Sequence, residues 1–261
     1  MTMARERYYP DERVGPFPKP PARFSDGDGR DLEVVTLDDS LATMDALTRM
    51  YLEFDPADRA QGIPPTGEDA IRKWLDPLVE TGVNVAVQSA SDDPAIVGHA
   101  VLVPDVDDEI PPADGWTPGV GGSNTEADGE SASEADDHSV IEADDHNATE
   151  ADDHSATEDD ATTAVDEISA AEDGSNPLET PGDYEWELAI FVLQSHQGAG
   201  VGTELLAHLL GEAAARGIED VWLTVERWNG AAISLYERMG FERVGAERFD
   251  IEMALRLEPD R

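Results

Sequence analysis

Cysteine is absent from this 261-residue chain, and lysine nearly so. The first absence excludes disulfides, thiolate metal sites and a cysteine nucleophile. The second leaves Lys19 and Lys73 beside fifteen arginines, set against 59 aspartates and glutamates, for a net charge of −42. So negative a chain repels nucleic acid and anionic membranes, and neither is expected as a partner. Long apolar runs are missing too. The longest near the glycine-rich stretch is the six-residue LAIFVL at 188–193, too short to span a bilayer, and the first residues show no apolar signal core. A soluble, cytoplasmic protein is expected.

The acidity is not confined to one tail. Residues 105–183 hold 26 of the acidic residues and no lysine or arginine, and the remainder still sits at −16. With lysine so scarce, the pattern fits adaptation to molar salt, as in a halophilic archaeon.

Along the chain, residues 1–30 are rich in proline, glycine and arginine (GPFPKPPARF). They are expected to form an extended, polyproline-like arm rather than a packed element. A strand is predicted at 31–37. Ser40 then offers an N-cap to a helix that turns Met44, Leu47, Tyr51 and Phe54 inward. Thr66 and Asp69 give an S/T-x-x-D/E start signal for a second helix, with Ile71, Trp74, Leu75, Leu78 and Val79 on one face and Pro77 expected to kink or shorten it. VNVAVQ and IVGHAVLV complete this half, residues 31–103, as strands.

Across 104–183 the periodicity fails. The unit EADDH recurs at 134, 142 and 150, a spacing that fits neither a helical nor a strand face and has almost nothing to bury. This segment is expected to be a disordered insertion between the third and fourth strands. Its histidines, 138, 146 and 154, preform no metal site at that spacing in a flexible chain, and no metal is expected.

Order is predicted to resume over 184–257: a strand through YEWELAIFVL, a helix over 200–216 ended by Gly217, a strand at VWLTVE, a helix over 229–239 ended by Gly240, and two short strands. The stretch QGAGVGT between the first strand and helix sets glycines at 198, 200 and 202. Unpaired N–H groups at a helix start, with no Cβ in the way, suit a phosphate. With no lysine or arginine between Lys73 and Arg216, an anion there would be held mainly by backbone amides. A dinucleotide fingerprint would need its third glycine at Thr203, and too few elements follow for a doubly wound sheet.

The run Gln197, Gly198, Ala199, Gly200, Val201, Gly202 resembles the Q/R-x-x-G-x-G/A signature of the GNAT superfamily of N-acetyltransferases. NGAAISLYERMGF resembles that family's second element, with Asn229, Ala232, Leu235, Tyr236, Gly240 and Phe241 in place. The resemblance covers 31–103 and 184–257. It implies an α/β fold with a mixed, mostly antiparallel central sheet flanked by helices, the N-terminal half on the acceptor side and the C-terminal half binding acetyl-CoA as co-substrate.

The resemblance also implies roles. Phe191, Val192 and Leu193 end the strand that pairs with the pantetheine arm, and Gln197 to Thr203 hold the pyrophosphate. Tyr236 matches the proposed general acid to the CoA sulfur, although at helical spacing it also reads as a core aromatic. Asn229 is either a cofactor contact or an N-cap. Glu187, with Glu185 on the same strand face, is the candidate base, and a solvated face explains both as well. His196 and His208 read as surface and helix residues. The loop 55–66 is expected to wall the acceptor site, where Arg59 is placed to meet an acceptor carboxylate. The expected activity is direct acetyl transfer to a primary amine, by a monomer or homodimer. The alternative is a non-catalytic acyl-CoA-binding module.

Overall fold

A computed structural model of the chain describes residues 7–55, 64–91, 93–105 and 184–260. Thirteen elements follow in order among them: β1 (Arg13–Val14), β2 (Ala22–Ser25), β3 (Asp31–Thr36), α1 (Leu41–Leu52), α2 (Glu68–Thr81), β4 (Val83–Ser89), β5 (Ile96–Pro104), β6 (Trp186–Val192), α3 (Val201–Ala215), β7 (Asp220–Glu226), α4 (Gly230–Arg238), β8 (Glu242–Ala246) and β9 (Asp250–Leu257). They form one sheet in the order β1-β9-β7-β6-β5-β4-β3-β2, with β8 also on β9. Only β1–β9 and β6–β7 are parallel, so the expected mixed, mostly antiparallel sheet is present.

The N-terminal arm departs from expectation. It is extended, but it is also built into the fold: β1 pairs with the end of β9, and β2 pairs along β3. Tyr9 is buried. A Cβ at Gly211 in α3 would collide with the Pro18 carbonyl, so the helix seats directly on the arm. Proline content argues against regular strands locally; pairing with β9 at long range and with the neighbouring β3 overrides it here. The two added strands also move the acidic segment. It lies between β5 and β6 rather than between the third and fourth strands, and residues 106–183 with their EADDH units are outside the described residues.

The helices follow their periodicity. Ser40 caps α1 by accepting from the Thr43 N–H at 3.2 Å. Helix α2 buries Ile71, Trp74, Leu75, Leu78 and Val79 as expected. Its cap is Gly67, at φ 89°, and not Thr66, whose side chain makes no cap bond. Glu68 and Asp69 instead place charge on the positive end of the helix. The helix runs on through Pro77 to Thr81.

One packing feature positions the site. Tyr51 of α1, Trp74 of α2 and Phe191 of β6 meet edge to face, with centroids 5.1–5.8 Å apart. Behind them lies a closed polar chain. The Tyr51 hydroxyl lies 2.7 Å from His99 Nδ1, and His99 Nε2 lies 3.0 Å from Asn84 Oδ1. The Asn84 amide donates to the Leu78 and Gly82 carbonyls, which leaves Oδ1 as the acceptor. His99 is therefore neutral, with its proton on Nε2 and Tyr51 donating to Nδ1. Burial pulls the His99 pKa down to about 3, so the chain stays intact across ordinary pH. It fastens α1 to the sheet.

Candidate functional site

Strand β6 is paired unequally on its two edges. Toward β5 all seven residues, Trp186 to Val192, have partners. Toward β7 the ladder holds only Trp186 and Glu187, opposite Val221 and Trp222. Beyond that the strands part, leaving the β7-facing edge of 188–192 without a strand partner among the described residues. An unpaired strand edge is a template for an extended ligand. Phe191 and Val192 lie on this edge. Leu193 lies past it, its N–H bonded to Val97 at 2.9 Å. Leu188, Ala189 and Ile190 belong to the free edge as well. Sequence reasoning missed them because a parting of strands leaves no mark in local composition.

From β6 the chain makes a short 3₁₀ turn at Gln194–His196 and enters α3. Gln197 reaches back, its Nε2 donating to the Val192 carbonyl at 3.0 Å. Gly198 and Gly200 take φ of 74° and 91°, left-handed backbone that other residues adopt only at a cost. Gly202 is different. It is helical, and a Cβ there would meet Leu235 at 3.5 Å and Val192 at 3.8 Å. It marks the point where α3, α4 and β6 converge. Across this passage the N–H groups of Gly198, Ala199, Gly200, Val201 and Gly202 have no hydrogen-bond partner among the described residues, and the first bonds of the helix run from Thr203 and Glu204 to Gly200. Five consecutive amides are thus free at the positive end of a 15-residue helix.

Backbone amides are not the only polar groups here. Arg30, from the N-terminal arm, donates through Nη1 to the Ser195 carbonyl at 2.7 Å. No lysine or arginine lies near along the chain, whereas Arg30 arrives across the fold. Its charge is countered by Asp26 at 2.6 Å and Asp28 at 2.9 Å.

On α4, Asn229 Oδ1 accepts from the Ala232 N–H at 3.1 Å, so this oxygen serves as the N-cap. Tyr236, two turns on, is 7% exposed and packs edge-on against Phe241 at 5.7 Å. Its hydroxyl has no hydrogen-bond partner among the described residues. Burial raises its pKa, so it is held as a phenol, able to donate a proton.

Glu187 of β6 and Glu185, one residue before the strand begins, separate clearly. Glu185 is ion-paired with Arg7, which also binds Asp105 at 2.8 Å and Glu252 at 2.6 Å and lies over Trp222, 3.3 Å from its centroid. Glu187 sits opposite Trp222 on the same face and has no partner of its own among the described residues. Burial pushes its carboxyl up to about 7, the nearby Asp105 adds to this, and Arg7 opposes it.

The remaining residues singled out by sequence lie elsewhere. His208 is buried in α3, with Nδ1 2.7 Å from the Glu204 carbonyl. His196 is bonded through Nδ1 to the Ser195 hydroxyl, and burial with Arg30 nearby lowers its pKa. Both are positioned as helix and surface residues. Between the end of α1 and the β6 turn, Leu52, Phe54 and Leu193 with Glu53, Asp55, Gln194 and Ser195 line a cleft of about 470 Å³. Arg59 and most of the expected acceptor loop fall within 56–63, and the DDH histidines within 106–183, outside the described residues.

Comparison with known proteins agrees with this geometry. A sequence model of the Acetyltransferase (GNAT) family matches residues 136–241. The chain is 42% identical over 59 residues to the [ribosomal protein bS18]-alanine N-acetyltransferase of Escherichia coli K12, a match covering 23% of this chain and 40% of that enzyme. It is 36% identical over 59 residues to an L-methionine sulfoximine/L-methionine sulfone acetyltransferase of Pseudomonas aeruginosa, covering 23% and 34%. The chain therefore spans well under half the length of these relatives. The crystal structure of the GNAT domain of S. lividans PAT superposes with a TM-score of 0.50 at 16% identity, covering 91% of this chain and 97% of that domain, which establishes a shared fold. The family model and both relatives are acetyltransferases, matched over part of this chain, and the solved GNAT domain shares its fold.

Proposed function

We propose that this protein transfers the acetyl group of acetyl-CoA directly to a primary amine. The observation that carries the reading is the run of five free amides at 198–202, set at the mouth of the gap between β6 and β7. Amides at a helix start suit a pyrophosphate, and the open strand edge at 188–192 suits the amide-bearing pantetheine arm that precedes the thioester.

In this reading Glu187 takes the proton of the attacking amine. A carboxyl with a pKa near 7 is a competent base at neutral pH. As the new N–C bond forms and the C–S bond breaks, Tyr236 gives its phenolic proton to the leaving sulfur. Water then returns the proton from Glu187 to Tyr236. Neither group is committed to another side chain among the described residues. That favours an enzyme over a binding module, in which no proton carriers need be kept free.

The acceptor enters beside α1 and α2, and the cleft at Phe54 and Leu193 is its proposed wall. The relatives act on a ribosomal-protein alanine and on small amino-acid analogues, so both a protein N-terminus and a small amine are candidate acceptors. The acidic excess supports a cytoplasmic, salt-adapted protein. The test is thiol release from acetyl-CoA with a panel of amines. Acetyl-CoA binding without thiol release by any amine would favour the binding module.

A further inference from the structure

The free amides of the cofactor turn need something to hold them in place. Within the turn, support is sparse: His196 N–H bonds Leu193, and Gln197 N–H bonds Gln194 at 3.2 Å. Two further contacts come from one external element, the tight turn between β2 and β3. Gly27 donates its N–H to the Ala199 carbonyl at 2.8 Å, and Arg30 donates to the Ser195 carbonyl at 2.7 Å.

That external turn is itself rigid. The Asp26 side chain is fully buried. One of its oxygens accepts the N–H groups of Asp28 and Arg30, at 3.0 and 2.9 Å, and the other accepts Arg30 Nε at 2.6 Å. The Arg30 guanidinium is thus oriented by Asp26 before it reaches Ser195. The approach at Gly27 leaves no slack, since a Cβ would lie 3.3 Å from the Ala199 oxygen and 3.4 Å from its Cα.

Peptide geometry turns these contacts into a direction. The Ala199–Gly200 bond is trans, so the carbonyl of Ala199 and the N–H of Gly200 lie in one plane and point in opposite directions. Holding that carbonyl toward Gly27 aims the Gly200 N–H away from the arm, toward the ligand side. Accepting the acetyl-CoA reading above, we infer that the turn at residues 26–30 is the positioning element of the cofactor turn, with Asp26, Gly27 and Arg30 setting the direction of the pyrophosphate-binding amides. Their action is through Ser195 and Ala199, without contact to the acetyl group.

The test compares kcat/KM for acetyl-CoA with that for S-acetyl-pantetheine, which has the thioester and lacks the pyrophosphate. Wild type is expected to prefer acetyl-CoA. In Arg30→Gln and in Gly27→Ala the preference should shrink about tenfold, the worth of one misaimed charge-assisted hydrogen bond. A general loosening of the fold would lower both rates together and leave the ratio alone. Arg30→Lys keeps the charge without the forked geometry and should fall with the glutamine variant. If Arg30→Gln does not fold, Gly27→Ala decides. Wild-type preference persisting in these variants, or restored by lysine, overturns the positioning role. A wild type with no preference for acetyl-CoA overturns the cofactor reading itself, and the inference with it.

Discussion

Asp105 donates its backbone N–H to the carbonyl of Glu185 at 2.7 Å. The bond extends the β5–β6 ladder by one step beyond Pro104 and Trp186, and Arg7 ties both side chains together. The two ends of the acidic stretch are therefore already neighbours, placed as the ends of a hairpin are. Replacing 106–183 with a short Gly-Ser turn should leave a cooperatively folding domain that binds acetyl-CoA. Closing an eighty-residue loop costs roughly 2.5 kcal/mol more than closing a four-residue one, so the shortened protein should melt no lower than the full chain. Loss of a cooperative transition on thermal unfolding would show that the acidic stretch contributes to the fold.

Tyr236→Phe removes one oxygen from a side chain whose ring packs on Phe241. The ring stays, and no protein hydrogen bond is lost among the described residues, so stability should hardly change. If the phenol protonates the leaving sulfur, turnover should fall roughly 10²-fold with acetyl-CoA affinity retained. Pre-steady-state measurement showing chemistry as the slow step, together with an undiminished turnover number, would remove Tyr236 from the mechanism.

Glu187→Gln separates catalysis from stability by pH. As base, Glu187 acts only when ionised, so wild-type kcat/KM should rise through pH 7 and the glutamine variant should lose that limb. For stability the sign is opposite. The folded-state pKa, about 7, lies above the ordinary 4.5, so folding favours the protonated form. Below about pH 4.5 there is no penalty; it grows between 4.5 and 7 and is full above 7, on the order of 3 kcal/mol at most. Glutamine mimics the neutral acid. It should melt higher than wild type at pH 8, with the gain shrinking as pH falls toward 5. Equal melting temperatures at pH 8 would mean that Glu187 is not buried as a carboxyl with a raised pKa.

The sequence made some of this legible and hid the rest for physical reasons. Ser40, the buried face of α2 and the glycines at 198 and 200 were readable because each answers a local demand: an N-cap, a period of 3.6, a left-handed backbone. Gly202 was grouped with those two, yet it answers a packing demand between α3, α4 and β6. Thr66 carried the right pattern but lost the cap to Gly67. The arm strands and Arg30 were invisible. The partners of β1 and of Arg30, Leu257 and Ser195, lie far away in sequence, while β2 closes a hairpin onto Glu33 only ten residues on, and only pairing within the sheet makes strands of two and four residues worthwhile. The same blindness applied to Glu185 and Glu187, indistinguishable on a strand until Arg7 engages one of them.

Salt offers the broadest test, since it acts on the whole charge distribution. CoA is polyanionic, and outside 105–183 this chain still carries −16. Arg30 beside the cofactor turn does not reverse that, because Asp26 and Asp28 leave its own turn net negative. In dilute buffer the long-range field should oppose entry of the cofactor. The Debye length shrinks from about 10 Å at 0.1 M salt to about 3 Å at 1 M, which silences the distant repulsion while amide–phosphate hydrogen bonds at contact range persist. Self-repulsion within the domain is relieved at the same time. Acetyl-CoA should therefore bind more tightly, and the protein melt higher, in 1 M than in 0.1 M KCl. Calorimetric titration on protein shown by circular dichroism to be folded at both salts checks the first half. Weaker binding at high salt would mean that an arginine, with Arg30 the first candidate, captures the phosphates by charge, and that the amides are the lesser part of the site.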